Sequence, residues 1–397
     1  MAEIKTESPK LVRGLSLLDG TMIVIGSMIG SGIFITSAES SRLVGSPGWL
    51  LVAWALAGVM TITGALCCAE LAAMMPRAGG PYVFLRQAYS PGTGFLFGWS
   101  LFLVIQTGTI AAVAVAFANF TGVLVPGIDA NNFIVAPHRL FGSYAISLST
   151  AQLLAIAMIA TLTVTNMFGL KTGKLIQNTF TFTKTAALIG LIILGLAIGW
   201  NHASAAYTSS WWNSWANGWN PQVAQPGLGI VGGLALVMIV GRAMTGPLFE
   251  VENPGRNLPL SLLIGCGVVV GLYLLANLAY VVTLPLNAIQ TAPQGRVATA
   301  TMQVIFGSRG TILMALAIMI STFGCNNGLI LAGARVYYAM AKDGLFFKGV
   351  AKLNPHHVPA VALIAQGVWA CFLTLPRTVT TDPKTGAVVY GNVYTQL

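Results

Sequence analysis

Apolar runs of about twenty residues or more recur along almost the whole chain, and in hydrocarbon a backbone amide has no partner outside its own helix. Each run is therefore constrained to be a membrane-spanning helix. They fall near residues 15–36, 48–74, 94–122, 148–168, 178–200, 227–249, 258–284, 310–333 and 358–376 of the 397-residue sequence. Composition agrees, because Asp, Glu, Lys and Arg make up only 8% of the residues, against roughly 25% in an ordinary soluble domain. With 55% hydrophobic residues there is too little polar surface to cover a soluble globule. The formal net charge of +10 lies at loops between the runs, so it reads as topology rather than as a nucleic-acid site.

Lys and Arg collect in cytoplasmic loops. With the N-terminus inside, the inner segments hold Lys5, Lys10, Arg13, Arg77, Arg86, Lys171, Lys174, Arg256, Arg335, Lys342, Lys348 and Lys352. The outer ones hold fewer, namely Arg42, Arg139, Arg296, Arg309, Arg377 and Lys384. The segment 201–226 has no Lys or Arg but carries Trp211, Trp212, Trp215 and Trp219, as expected at an outer interface. Residues 1–14 precede a run longer than a signal peptide's apolar region, so cleavage is not expected. After Pro376 a polar stretch leads to Tyr390–Leu397, which reads as the approach to a further span.

No soluble catalytic constellation or phosphate loop is present, so an enzyme is not expected. The five cysteines lie in or beside apolar stretches and behave as small hydrophobes. His356 and His357 are adjacent, a poor arrangement for chelating one metal ion. No cofactor is implied.

The first span carries the strongest functional signal, Gly26-Ser27-Met28-Ile29-Gly30-Ser31-Gly32-Ile33-Phe34. Glycines and serines in mid-membrane weaken the helix, and a broken helix there is tolerated only where it lines a cavity. Close helix packing through small residues is the alternative reading. The sixth span is interrupted too, by Gly241, Gly246 and Pro247, and breaks in corresponding spans of two halves point to a transporter site. A half-helix beginning near Gly32 offers amides to an anion, and one ending near Met28 offers carbonyls to a cation. Together they suit an amino acid zwitterion. Among charged residues within spans, Lys184 is either a snorkelling lysine or a cation held against broken-helix carbonyls. Arg242 has no such account, and Asp19 and Glu70 sit near inner helix ends, where they would stabilise a closed inner side.

These features, with Cys68 to Tyr82, Leu85 to Tyr89, Lys174 to Lys184, Asn253 to Pro259 and Gly333 to Gly344, resemble the amino acid–polyamine–organocation superfamily and, within it, the L-type amino acid transporter family. The resemblance covers nearly the whole chain in order. It implies an all-α polytopic membrane protein with the leucine-transporter-type inverted-repeat fold. Residues 1–14 would form a cytoplasmic segment, 15–200 the first five-helix repeat, 201–226 an extracellular loop, and 227–397 a second repeat lacking helices ten to twelve. It further implies that the amides of Ser31 and Gly32, with Gly30 beside them, take a substrate carboxylate and the Met28 carbonyl takes the amine. Phe249 would be a gate, although Glu250 follows it at once where the family has a further dozen residues. Lys184 would fill the space of a sodium ion. The expected activity is sodium-independent exchange of neutral amino acids across the plasma membrane. Proton-coupled amino acid or polyamine uptake, and a non-transporting derivative, are the alternatives. The loop 123–147 has no cysteine, so no disulfide-linked heavy chain is expected.

Overall fold

The computed structural model describes residues 16–75, 79–141, 144–200, 211–212, 254–381 and 388–392. The N-terminal segment, the span near 227–249 with Arg242, Phe249 and Glu250, and Trp215 and Trp219 lie outside the described residues.

The chain opens with α1 (Leu17–Met28), started by a Ser16 and Asp19 capping box. Three residues later α2 (Gly32–Val44) continues the span after a 44° bend, and Gly45 ends it in the left-handed conformation (φ 68°). Ser46 then caps α3 (Pro47–Met74), with proline in its first turn, where a missing N–H costs nothing. A short α4 (Pro81–Ala88) precedes α5 (Pro91–Leu124), whose middle is one π-helical turn, Leu101–Ile105. Thr107 Oγ donates to the Phe102 carbonyl five residues back across that turn at 2.6 Å. Next come α6 (Thr150–Met167), capped by a Ser149 and Gln152 box, and α7 (Leu170–Ala197).

The second half of the described chain contains α8 (Pro254–Thr283), α9 (Leu286–Gln290), α10 (Val297–Lys342) and α11 (Ala360–Leu373). Gly307, at φ 61°, divides α10 into a short arm and a long helix, a conformation only glycine adopts without strain. Among the described residues, six helices are long and apolar enough to cross a membrane, seven if α1 and α2 count as one bent span. Helix α11 is apolar but only 14 residues long. α1 packs between α7 and α8, and α10 lies against α5, α7 and α1. The carbonyl side of the break between α1 and α2 is thus lined by α7, α8 and α10.

The fold is mostly but not wholly helical, which corrects the all-α expectation. A four-stranded antiparallel sheet joins β1 (Phe133–Phe141), β2 (Tyr144–Ser149), β3 (Pro376–Thr381) and β4 (Val388–Asn392) in that order. Of Tyr390–Leu397, read above as the approach to a further span, residues 390–392 belong to β4 and pair with β3, and 393–397 lie outside the described residues. The reason is tertiary: α11 ends beside the start of α6, where Gln152 Nε2 donates to the Thr374 carbonyl at 2.8 Å. Buried Arg377 then donates to Ser147 Oγ at 3.1 Å and to Ser149 Oγ at 3.2 Å, tying β3 to β2. At the opposite ends of the helices, Asp343 after α10 accepts from Tyr82 at 2.9 Å and from Arg86 at 2.6 Å. Burial, and then the bond to Asp343, raise the Tyr82 hydroxyl above its ordinary pKa, so it stays a donor.

Candidate functional site

The helical hydrogen-bond pattern fails between Met28 and Gly32, where Ile29 takes an extended conformation (φ −78°, ψ 91°). Carbonyls freed in a membrane interior must find donors, and here neighbouring helices supply them. Lys184, on α7 and fully buried, donates through Nζ to the Gly26 carbonyl, to the Ile29 carbonyl at 2.7 Å and to the Ser321 carbonyl of α10 at 3.5 Å. It does not snorkel. Cys325 of α10 donates through Sγ to the Ser27 carbonyl at 3.3 Å. Tyr273 of α8 donates to the Met28 carbonyl at 2.7 Å. Ser321 Oγ reaches the Ile29 and Gly30 carbonyls at 3.3 and 3.2 Å, and Tyr280 reaches that of Ile33 at 3.3 Å.

The amides behave differently. Ser31 stands at the N-cap of α2 without a side-chain cap bond, and among the described residues the amides of Ser31, Gly32 and Ile33 meet no protein acceptor. Gly32 is exposed, and among the described residues only Thr36 Oγ would lie near a Cβ placed there, at 3.6 Å. Among the described residues the break is therefore asymmetric: its carbonyls are largely occupied by protein donors, and its amides meet no acceptor at the positive end of a helix. Chemically, that end suits a carboxylate.

Of the residues the sequence singled out, Met28, Gly30, Ser31, Gly32 and Lys184 converge on the break, while Phe249 lies outside the described residues. The Met28 carbonyl, assigned above to the substrate amine, already accepts from Tyr273, so an amine would have to share it. Asp19 lies at the far end of α1, where it accepts from Ser16 and from Asn178 Nδ2 at 2.8 Å. Glu70 is exposed on α3. Sequence reasoning missed Tyr273, Ser321 and Cys325. Their signal was faint, polar side chains in otherwise apolar helices, and only the helix phase shows which of them turn toward α1. His356 and His357 stand in the loop before α11, and no group of metal ligands is present among the described residues.

A profile of the family described as "Amino acid permease" matches residues 15–390. The chain belongs to that family. Among the relatives of this permease is the mouse (Mus musculus) b(0,+)-type amino acid transporter 1, 28% identical over 94% of this chain and 72% of its own length. Large neutral amino acids transporter small subunit 2 of Rattus norvegicus is 30% identical over 94% of this chain and 66% of its own. The serine/threonine exchanger SteT of Bacillus subtilis (strain 168) is 29% identical over 93% of this chain and 78% of its own. The permease is accordingly a polytopic membrane transporter of amino acids and not an enzyme.

Proposed function

We propose that this permease exchanges neutral L-amino acids across the plasma membrane without sodium, by alternating access around the break between α1 and α2. The observation that carries the reading is the buried Lys184 ammonium bonded to the Gly26 and Ile29 carbonyls of the break and the Ser321 carbonyl of α10. A fixed cation already fills the position at which a metal cation would meet those acceptors. The free amides of Ser31 and Gly32, beside Gly30, would take the substrate carboxylate, and the Met28 carbonyl would share the substrate amine with Tyr273. Phe249 remains the proposed gate. Neutral side chains are favoured because no Asp or Glu stands mid-span to compensate a cationic one. Residues 15–200 would form the first inverted repeat, and the second would begin near 227. With no cysteine between α5 and α6, no disulfide-linked partner is called for.

The purified 397-residue chain, placed in liposomes preloaded with an unlabelled neutral amino acid, should take up a labelled one at the same rate in sodium and in choline medium. Uptake that needs sodium, or that proceeds equally into empty liposomes, would reject exchange of this kind.

Orientation follows from the Lys and Arg distribution, which supports the N-terminus, α4 and the loop after α10 as cytoplasmic and the sheet as external. A membrane-impermeant maleimide added to intact cells should label His138→Cys on β1 and leave Lys352→Cys unlabelled. The reverse pattern would invert the topology.

A further inference from the structure

On the side of Lys184 nearer the start of α1, four buried side chains form a hydrogen-bonded chain across the helices. Asn166 of α6 donates Nδ2 to Asn327 Oδ1 at 2.9 Å, and Asn327 of α10 donates Nδ2 to Gln177 Oε1 at 3.1 Å. Gln177 of α7 donates Nε2 to Thr181 Oγ at 3.4 Å, and Thr181 Oγ donates to the Met22 carbonyl of α1 at 3.2 Å. The four side chains are at most 1% exposed. In such surroundings an unmade polar bond is costly, yet the Ser27 hydroxyl beside them is buried and has no partner among the described residues. A Cβ on Gly328 of α10 would lie 2.8 Å from Ser27 Oγ and 3.1 and 3.2 Å from the two polar atoms of the Gln177 carboxamide. Ser27 and Gln177 therefore converge on the same bare stretch of α10. On α1, Gly26 faces the Gln177 amide and Thr181 hydroxyl too closely for any side chain. The carboxamide sits in a slot between two glycines, with one long bond and one unpartnered hydroxyl next to it.

We propose that Gln177 is a positioning residue for the inner half-helix α1, passing its Nε2 bond from Thr181 to Ser27 when that half-helix swings away from α7. The inference rests on alternating access at the break, and leverage supports it. Counted from Gly30, Ser27 is three residues and Met22 eight residues along the chain, about 4.5 Å and about 12 Å of helix rise. A rotation at the break thus separates Met22 from Thr181 while Ser27 stays within reach of Gln177. Thr181 holds the docked state, Ser27 receives the amide in the undocked one, and the carboxamide remains satisfied in both.

The test is hydrogen exchange of residues 17–28 in the full chain in detergent, which needs no substrate flux. Thr181→Val removes the docked-state acceptor together with the Thr181 bond to the Met22 carbonyl, and should speed exchange in 17–28 about tenfold relative to α5 and α8. Ser27→Ala removes only the undocked partner and should slow it. Effects of the same sign, or none, would overturn the proposal, as would a Ser27→Ala effect that persists unchanged in a Gln177→Leu background. In liposomes the half-saturation constant on the inner face should shift in both variants while that on the outer face holds. Failure of the unmutated chain to exchange amino acids would instead strike at the function proposed above, and the hydrogen-exchange result would stand separately.

Discussion

Lys184→Ala is expected to reduce counter-substrate-driven uptake about a hundredfold while leaving a folded protein. The ammonium serves the Gly26 and Ile29 carbonyls of the break and, more distantly, the Ser321 carbonyl. Each buried acceptor left without a donor costs about 1–3 kcal/mol. Gly26 loses its side-chain donor and Ile29 keeps only the longer bond from Ser321 Oγ, together a loss of about 2–3 kcal/mol and a factor of about a hundred in populating the competent geometry. Stability should fall less than activity, because removing the ammonium also removes the cost of holding a charge out of water. Lys184→Arg should not restore transport, since a rigid planar guanidinium cannot direct its N–H groups from one point at the Gly26, Ile29 and Ser321 carbonyls as the ammonium does. Uptake and the thermal midpoint, measured on the same preparations, check this. Retention of more than about a tenth of the wild-type rate by Lys184→Ala would show that the carbonyls find other donors.

Gly32→Val should weaken binding of amino acids by about ten- to a hundredfold, and Gly32→Ala by less. Position 32 opens α2, has no left-handed backbone requirement, and would place a Cβ only against Thr36 Oγ at 3.6 Å. Alanine in a helix is favoured over glycine by up to about 1 kcal/mol, so unfolding cannot account for lost binding. The substitution fills the space in front of the free amides, where the carboxylate would sit. Amines lacking a carboxylate should lose much less affinity than the matching amino acids. Calorimetric titration of both ligand series against both variants provides the comparison. Equal losses for the two series, or none, would move the carboxylate elsewhere.

The helical membrane architecture was legible because hydrocarbon leaves the backbone few choices, so apolar runs and their lengths nearly dictate the elements. The break at Gly26 to Phe34 was legible for the same reason: three glycines in mid-span are costly unless the chain bends there, and α1 ends at Met28. Lys184 stood out as a charge where charge is expensive. Its destination did not. Gly26 and Lys184 are 158 residues apart, and Met28 and its donor Tyr273 are 245 apart. Cys325 was read only as a small hydrophobe, and Ser321 and Gln177 carry no sequence signal that sets them apart from other polar residues in apolar helices.

The sheet was equally hidden, because β2 and β3 are far apart in sequence and pair only once α11 ends beside the start of α6. By itself the sequence determined that the chain crosses a membrane, and it singled out the first span as a candidate for a break and Lys184 as a charge that is costly within a span. Only the tertiary structure decided which carbonyls that lysine serves, that the amides of Ser31 and Gly32 meet no acceptor among the described residues, and that Gln177 lies between two glycines. The physical reason is that solvent and chain geometry act on local sequence, whereas a hydrogen-bond partner is chosen by packing that brings distant helices into one phase.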